Sequence, residues 1–318
     1  MARHLLWRGL QALGVLALMS VVIYGLIGLM PGDPLQLMIA SDPRMTPEDT
    51  ARLQALYGLD KPWTERYWAW VQQALSGDLG YSRLYAKPVL DAMGPALVNS
   101  AILMISALCL SLAIALPLGI WAAARPDGWV DRIISGLALI SVSTPTFWLG
   151  LMLIVVFAVI LGWLPAGGME SVALDQQGFW DSVRHAILPV TTLGLAGIGG
   201  YIRHMRAAMI DQSHQDYVRT ARAKGCSEPR ILLGHQLRNA WAPIITLVAL
   251  DIGALFSGAL ITETIFAWPG MGRLIFEAIM GNDFNLALVG LLFATLMTLV
   301  ASLLADLAYS LVDKRVRP

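Results

Sequence analysis

Apolar residues gather into six long runs separated by polar segments: Leu10–Met30, Leu97–Ala124, Ile133–Leu164, Ala186–Ile202, Trp241–Ile261 and Leu286–Val312. A helix needs about 20 apolar residues to cross the hydrocarbon core of a bilayer. The pattern therefore predicts an all-α, six-span polytopic membrane protein. The third run exceeds that length. Pro145, in Ser143-Thr144-Pro145-Thr146, predicts a kink there, with neighbouring hydroxyls to satisfy the freed backbone groups. The fourth run is short and glycine-rich. The first run holds 21 uncharged residues, more than the roughly 7–15 of a secretory signal. Pro31-Gly32-Asp33-Pro34 follows it where a small-residue cleavage site would stand. Residues 1–30 therefore read as an N-terminus and a first transmembrane helix.

Six spans put both termini on one side. That side holds 14 lysines and arginines in short segments near span ends; the other holds 8, most of them in one long loop where the charge rule is weak. The bias predicts cytoplasmic termini in a multi-pass protein of the inner (cytoplasmic) membrane. The long loop, residues 31–96, reads as extracytoplasmic and helical. Thr46 is placed to cap a helix with Pro47, Glu48 and Asp49 in its first turn, and Gly58 to end it. A second helix is predicted from Pro62, carrying Trp63, Tyr67, Trp68, Trp70 and Val71. Three uses stay open for these rings: the membrane interface, a small outside subdomain, or a partner surface.

Between the fourth and fifth runs lies a basic segment, Asp216 to Asn239. Asp216 to Ala223 lacks glycine and proline and predicts a helix. Gly225 interrupts it, and Ser227-Glu228-Pro229 restarts one. A helix, glycine turn, helix knob with apolar anchors and a basic rim suits a groove on a partner protein. Lysines and arginines serving only topology are the plainer alternative.

Composition narrows the choice. Only 14% of the 318 residues are charged and the formal net charge is zero, whereas soluble domains carry about 25% charged residues. A neutral chain has no global attraction to nucleic acid, so no nucleic-acid partner is expected. Cys109 and Cys226 have no His or Cys at metal-ligand spacing and read as packing thiols.

The basic segment resembles the EAA loop of ABC importer permease subunits, in the variant of the peptide/nickel (dipeptide/oligopeptide) family. There a segment like DYVRTARAKG is followed by H-x-L-R-N, here His235, Leu237, Arg238 and Asn239. Arg219, Thr220 and Ala221 occupy the Glu-Ala-Ala positions relative to Gly225, so the glutamate and first alanine are absent. That departure favours the peptide variant over sugar or amino-acid permeases. Three further strings resemble the same family: Pro31-Gly32-Asp33-Pro34; Gly77-Asp78-Leu79-Gly80 with Ser82; and Glu263 to Arg273, ETIFAWPGMGR.

The resemblance implies a type I ABC importer transmembrane domain, with a five-helix permease core over residues 97–318 and a cytoplasmic coupling loop over 203–240. It implies that Arg219, Thr220, Ala221, Lys224, Gly225 and Glu228 form the coupling helix that docks on an ATPase subunit. Implied partners are a second homologous permease, two ABC ATPase subunits, an extracytoplasmic solute-binding protein and a di- or oligopeptide substrate. Nickel, glutathione and antimicrobial peptides are the alternative cargoes. No cofactor is expected in this chain, since ATP and Mg belong to the ATPase subunits.

Charges inside apolar runs are costly and mark functional candidates. Asp251 lies within the fifth run and is expected to face the translocation path and meet a cationic group; protonation or pairing with another span is the alternative. Glu263, at the outer boundary, is expected to cap or line an outer gate. Asp306 reads as structural, near Lys314 and Arg315. Gly194, Gly197, Gly199 and Gly200 thin the fourth run, and Gly253, Ser257 and Gly258 the fifth, for packing within the subunit or for a pore or subunit interface.

The chain reads as no enzyme. Its lysines are Lys61, Lys87, Lys224 and Lys314, and none follows a glycine, so no Walker A motif exists. H-E-x-x-H and G-x-S-x-G are also absent. A stand-alone secondary carrier, which would show inverted repeats, is the remaining class; no clear repeat is visible.

Overall fold

Helices dominate because a bilayer offers no partner for free backbone groups. The computed structural model describes residues 2–29, 61–173, 175, 177–254 and 259–312. In chain order the elements begin with α1 (Ala2–Gly28) and α2 (Trp63–Leu75). A two-stranded antiparallel pair follows, β1 (Tyr81–Ser82) and β2 (Lys87–Pro88), with Tyr81 opposite Pro88. Next come α3 (Val89–Ala124), α4 (Trp129–Ser143) and α5 (Thr146–Leu153), the last continuing as a π-helix over Ile154–Ile160. Then come α6 (Phe179–Ser213), α7 (Asp216–Ala223) and the short α8 (Glu228–Arg230), which leads into a π-turn over Ile231–Gln236. The chain finishes with α9 (Leu237–Ala254), α10 (Leu260–Ile265), α11 (Met271–Met280) and α12 (Phe284–Val312).

Among the described residues four helices are long and apolar enough to cross a membrane, in α1, α3, α6 and α12. The pair α4 and α5 with its π-helix makes a fifth if taken as one span, bent by 97°. The expected six is thus not reached among the described residues. In place of the fifth run stands α9, whose last described residue is Ala254. The bend falls at Thr144-Pro145, as the sequence implied, and the Thr144 hydroxyl donates to the Ile140 carbonyl at 2.7 Å. The same carbonyl accepts the Thr144 N–H at 3.0 Å, so the hydroxyl reinforces the last turn of α4 just before the break at Pro145.

Two helices exceed their predicted runs. Val89 starts α3 inside the expected outside loop, and α6 extends from Phe179 to Ser213 rather than from Ala186 to Ile202. The polar end of α6 stays helical because Met205, Ala208 and Met209 are buried with Ala123 of α3 and Ala240 and Ile244 of α9.

The glycines of α6 serve packing within the subunit. A side chain at Gly194 would lie 2.8 Å from Leu110, at Gly197 2.9 Å from the Ser111 hydroxyl, and at Gly199 2.3 Å from the Ala138 carbonyl. Gly200 faces open space. Close approach admits interhelical hydrogen bonds: Ser111 donates to the Gly194 carbonyl and Ser141 to the Leu195 carbonyl, both at 2.6 Å. The small residues of the fifth run lie outside the described side chains.

The aromatic helix α2 starts after Pro62, as expected. Tyr67 and Trp70 pack with Tyr24 of α1, and the Tyr67 hydroxyl shares a 2.7 Å hydrogen bond with Ser20. Trp63 and Trp68 remain exposed. The helix expected between Thr46 and Gly58 lies outside the described residues. Cys226 packs inside the basic knob, whereas Cys109 is exposed on α3 and does not pack into this chain's core.

Candidate docking knob and buried carboxylates

Asp216 to Ile231 fold back on themselves. Gly225 sits at φ +76°, a region L side chains rarely adopt. Its N–H donates to the Arg222 carbonyl at 3.0 Å, and the Cys226 N–H to the Ala221 carbonyl at 3.2 Å. This pair of bonds is a Schellman cap, which ends α7 and satisfies its orphan carbonyls. Val218, Ala221 and Ile231 are buried together, with Tyr217 and Cys226 packed against them. Arg222 closes the turn with a two-pronged ion pair to Glu228, at 2.7 and 3.1 Å. That pair holds the Glu228 carboxyl below its ordinary range and raises the Arg222 guanidinium above its own. Both groups are exposed, so the pair is weak and salt-screened.

Arg219, Thr220, Lys224, Gly225 and Glu228 form one exposed surface around the turn. Ala221 does not join them. It is 6% exposed and its methyl fills the knob's own core, because the inner face of a one-turn knob must bury something apolar. Ala221 builds the knob's shape and is not part of its exposed surface. The knob is tied to its parent helix by the Tyr217 hydroxyl, which donates to Gln212 of α6 at 2.7 Å.

Asp251 is exposed on α9 and accepts a hydrogen bond from the Tyr201 hydroxyl of α6. Pairing with another helix, the plainer sequence alternative, is therefore present, yet the carboxylate keeps an open side. Glu263 is different. It is 0% exposed, and its oxygens accept from the Ser100 hydroxyl at 2.6 Å, the Arg273 N–H at 3.0 Å and the Ala259 N–H at 3.3 Å. The Arg273 bond caps the first turn of α11. In this conformation Glu263 offers no surface to a passing solute. The string around it follows from the same geometry: a side chain at Gly270 would lie 2.4 Å from the Glu263 carboxyl carbon.

Two buried carboxylates escaped the sequence reading. Asp283 accepts from the Ser82 hydroxyl at 2.6 Å and the Leu84 N–H at 2.9 Å, pinning the β-hairpin to the start of α12. Its place just before an apolar run is an N-cap signal, and the Leu286 N–H does donate to it at 3.3 Å. Asp131 is held by Arg206, 75 residues away, and no local pattern announces that pairing. The Gly77-Asp78-Leu79-Gly80 string is a turn, with φ of +92° and +88° at its glycines and Asp78 accepting from the Gly80 N–H at 2.9 Å. Asp306, Lys314 and Arg315 lie outside the described side chains. No cluster of three metal-ligating side chains occurs among the described residues.

The model of the binding-protein-dependent transport system inner membrane component matches residues 115–318, and that of the corresponding N-terminal region matches residues 1–89. The chain belongs to this family. As such an inner-membrane transport component it resembles curated proteins along its whole length. It is 35% identical to the oligopeptide transport system permease protein AppB of Bacillus subtilis (strain 168), covering 99% of each chain. It is 34% identical to the dipeptide transport system permease protein DppB of Escherichia coli (strain K12), covering 94% of each. It is 33% identical to the glutathione transport system permease protein GsiC of Escherichia coli O6:H1, covering 100% of this chain and 99% of that one. Among solved structures, the inward-facing MetNI methionine ABC transporter superposes with a TM-score of 0.51 at 15% identity, over 69% of this chain and 97% of that one. That likeness shows a type I importer transmembrane fold.

Proposed function

We propose that this transport component is a permease subunit of an ATP-driven ABC importer for di- or oligopeptides. The observation that carries the reading is the preformed knob of α7 and α8, exposed at the end of α6, in a chain matched along its length by named peptide permeases. Its exposed Arg219, Thr220, Lys224, Gly225 and Glu228 are the docking surface for an ATPase subunit. The knob and both termini then face the cytoplasm, and the hairpin and α11 face outward toward a solute-binding protein. A second homologous permease completes the path, and ATP with Mg is held by two separate ATPase subunits. Residues 1–30, 31–96 and 97–318 act as anchor, outside loop and permease core.

In this scheme the permease does positional work. Closure of the ATPases on ATP moves the knob, and α6 carries that displacement into the bundle. The path opens outward and solute enters from its binding protein; hydrolysis resets it inward. Asp251, exposed within α9, lines that path and meets a cationic group such as a peptide α-amine. A glutathione carrier is the second reading, supported by the full-length similarity to GsiC.

The test is recovery of ATPase subunits with this chain from solubilised membranes, scored by mass spectrometry, with wild type beside Gly225→Asp. Recovery by wild type and loss in the variant support the docking surface. No ATPase with either form returns a stand-alone carrier to first place.

A further inference from the structure

Asp131 has no part in the reading above, yet it is among the most completely bonded side chains in the protein. It sits in the first turn of α4 and is 3% exposed. Arg206 of α6 grips it two-pronged along one edge of its guanidinium: Nε donates to Oδ1 at 2.5 Å and Nη2 to Oδ2 at 2.6 Å. The Asp127 N–H adds a bond to Oδ2 at 2.8 Å, and the Ser135 hydroxyl one to Oδ1 at 3.2 Å. Asp127 holds φ +63°, a left-handed turn that aspartate adopts more readily than most non-glycine residues. The Asp131 carboxylate fastens that turn through its N–H. One carboxylate therefore joins three pieces of chain: the 125–128 turn, α4 and the knob end of α6.

The placement matters for how displacement spreads. Arg206 lies about two turns before the end of α6, and the knob is tied to that same end through Tyr217 and Gln212. Beyond the 97° corner, α5 lies against the far end of the bundle: a side chain at Gly150 would lie 3.2 Å from the Phe266 ring, and the Gly168 N–H donates to the Phe266 carbonyl at 2.8 Å. The bent pair α4–α5 thus reaches from the knob end of α6 to the Glu263 region.

We propose that Asp131 and Arg206 are positioning residues that keep α4 and the end of α6 one rigid body throughout the transport cycle, so that knob movement is delivered through the bent pair to the outer end. The proposal rests on the importer reading. Its physical basis is that Asp131 is buried at 3% exposed while Arg206 keeps 28% exposed, so separating them strands the carboxylate, the member of the pair with no water to turn to. A joint of this kind is suited to transmitting a displacement, and poorly suited to opening and closing at each turnover.

The test uses the full complex with its ATPase subunits and binding protein, after Cys109 and Cys226 are replaced by serine. Asp131 and Arg206 are kept, and Val130→Cys of α4 with Ile202→Cys of α6, side chains of one packed cluster, is bridged by a short thiol cross-linker, without nucleotide and again with ATP and vanadate. Equal bridging in both states, with hydrolysis surviving the bridge, is the expected result. Bridging in one state only, or hydrolysis stopped by the bridge and restored by reductant, overturns the rigid joint. Asp131→Asn provides the second readout. The complex is expected to assemble, with hydrolysis no longer raised by the binding protein, and Asp131→Glu to restore that control. Hydrolysis still controlled by the binding protein in a merely less stable Asp131→Asn complex overturns the positioning role. Wild type that recovers no ATPase subunits refutes the importer reading and this inference with it. A joint that opens refutes this inference alone.

Discussion

The Ser100 hydroxyl of α3 donates to the Glu263 carboxylate at 2.6 Å while accepting from the Met271 N–H at 2.7 Å, so two residues 163 positions apart hold α10 and α11 against α3. The centre is fully buried, and loss of the carboxylate leaves several donors without an acceptor. Unsatisfied buried donors cost about 1–3 kcal/mol each. Glu263→Ala is expected to lower the thermal midpoint of the detergent-solubilised protein by several degrees, and Glu263→Gln by less. A midpoint equal to wild type for Glu263→Ala would show that the network is not holding the helices.

Gly225 tests the knob's shape separately from its charge. Its surroundings leave open space for a side chain, so the constraint is the backbone alone. A left-handed conformation costs most L residues about 1–2 kcal/mol, while asparagine visits it readily. Gly225→Val is expected to lose ATPase recovery and Gly225→Asn to keep most of it. Equal recovery with both would separate docking from the turn.

The Arg222–Glu228 pair has a definite pH dependence. Glu228 is held below its ordinary 4.5 in the folded knob. Its contribution is therefore present above 4.5 and lost as pH falls through the depressed value. Cys226 lies against the knob's core and reports its opening. The ratio of thiol labelling rates, Glu228→Gln over wild type, is expected to exceed one at neutral pH and approach one in acid. A flat ratio across that range would mean the pair does not brace the turn.

Asp251 carries the substrate-facing prediction. Asp251→Asn is expected to slow uptake of a solute with a free ammonium group and to spare one whose amine is blocked, measured in the reconstituted importer. Unchanged uptake of both would remove Asp251 from the path. Tyr201→Phe, which deletes its hydroxyl partner, is expected to give a smaller loss in the same direction.

Legibility in the sequence followed the range of the forces involved. Pro62, Pro145 and Gly225 act on their own backbone, and each marks a helix start, a bend or a turn where expected. Five of the six apolar runs coincide with helices long and apolar enough to span, the bent pair counted as one, and the runs did not fix the helix ends. The fourth apolar run ends at Ile202, while the helix continues to Ser213 because Met205 and Met209 bury themselves against neighbouring helices. Ala221 was assigned to the docking surface by position, and only packing shows it turned inward. The Asp131–Arg206 pair stayed invisible because nothing near either residue requires the other. The Asp283 cap, by contrast, has a local signal: a short carboxylate just before an apolar run.

The knob encloses its own small core, so a protein that grips it meets a finished shape. Ordering a loop on contact normally consumes part of the interaction energy. Here that expense falls on the folding of the permease itself. Encounter then resembles the docking of two solid bodies, with no loop-ordering step to wait for, and its speed falls as salt rises because Arg219 and Lys224 on the rim steer the approach.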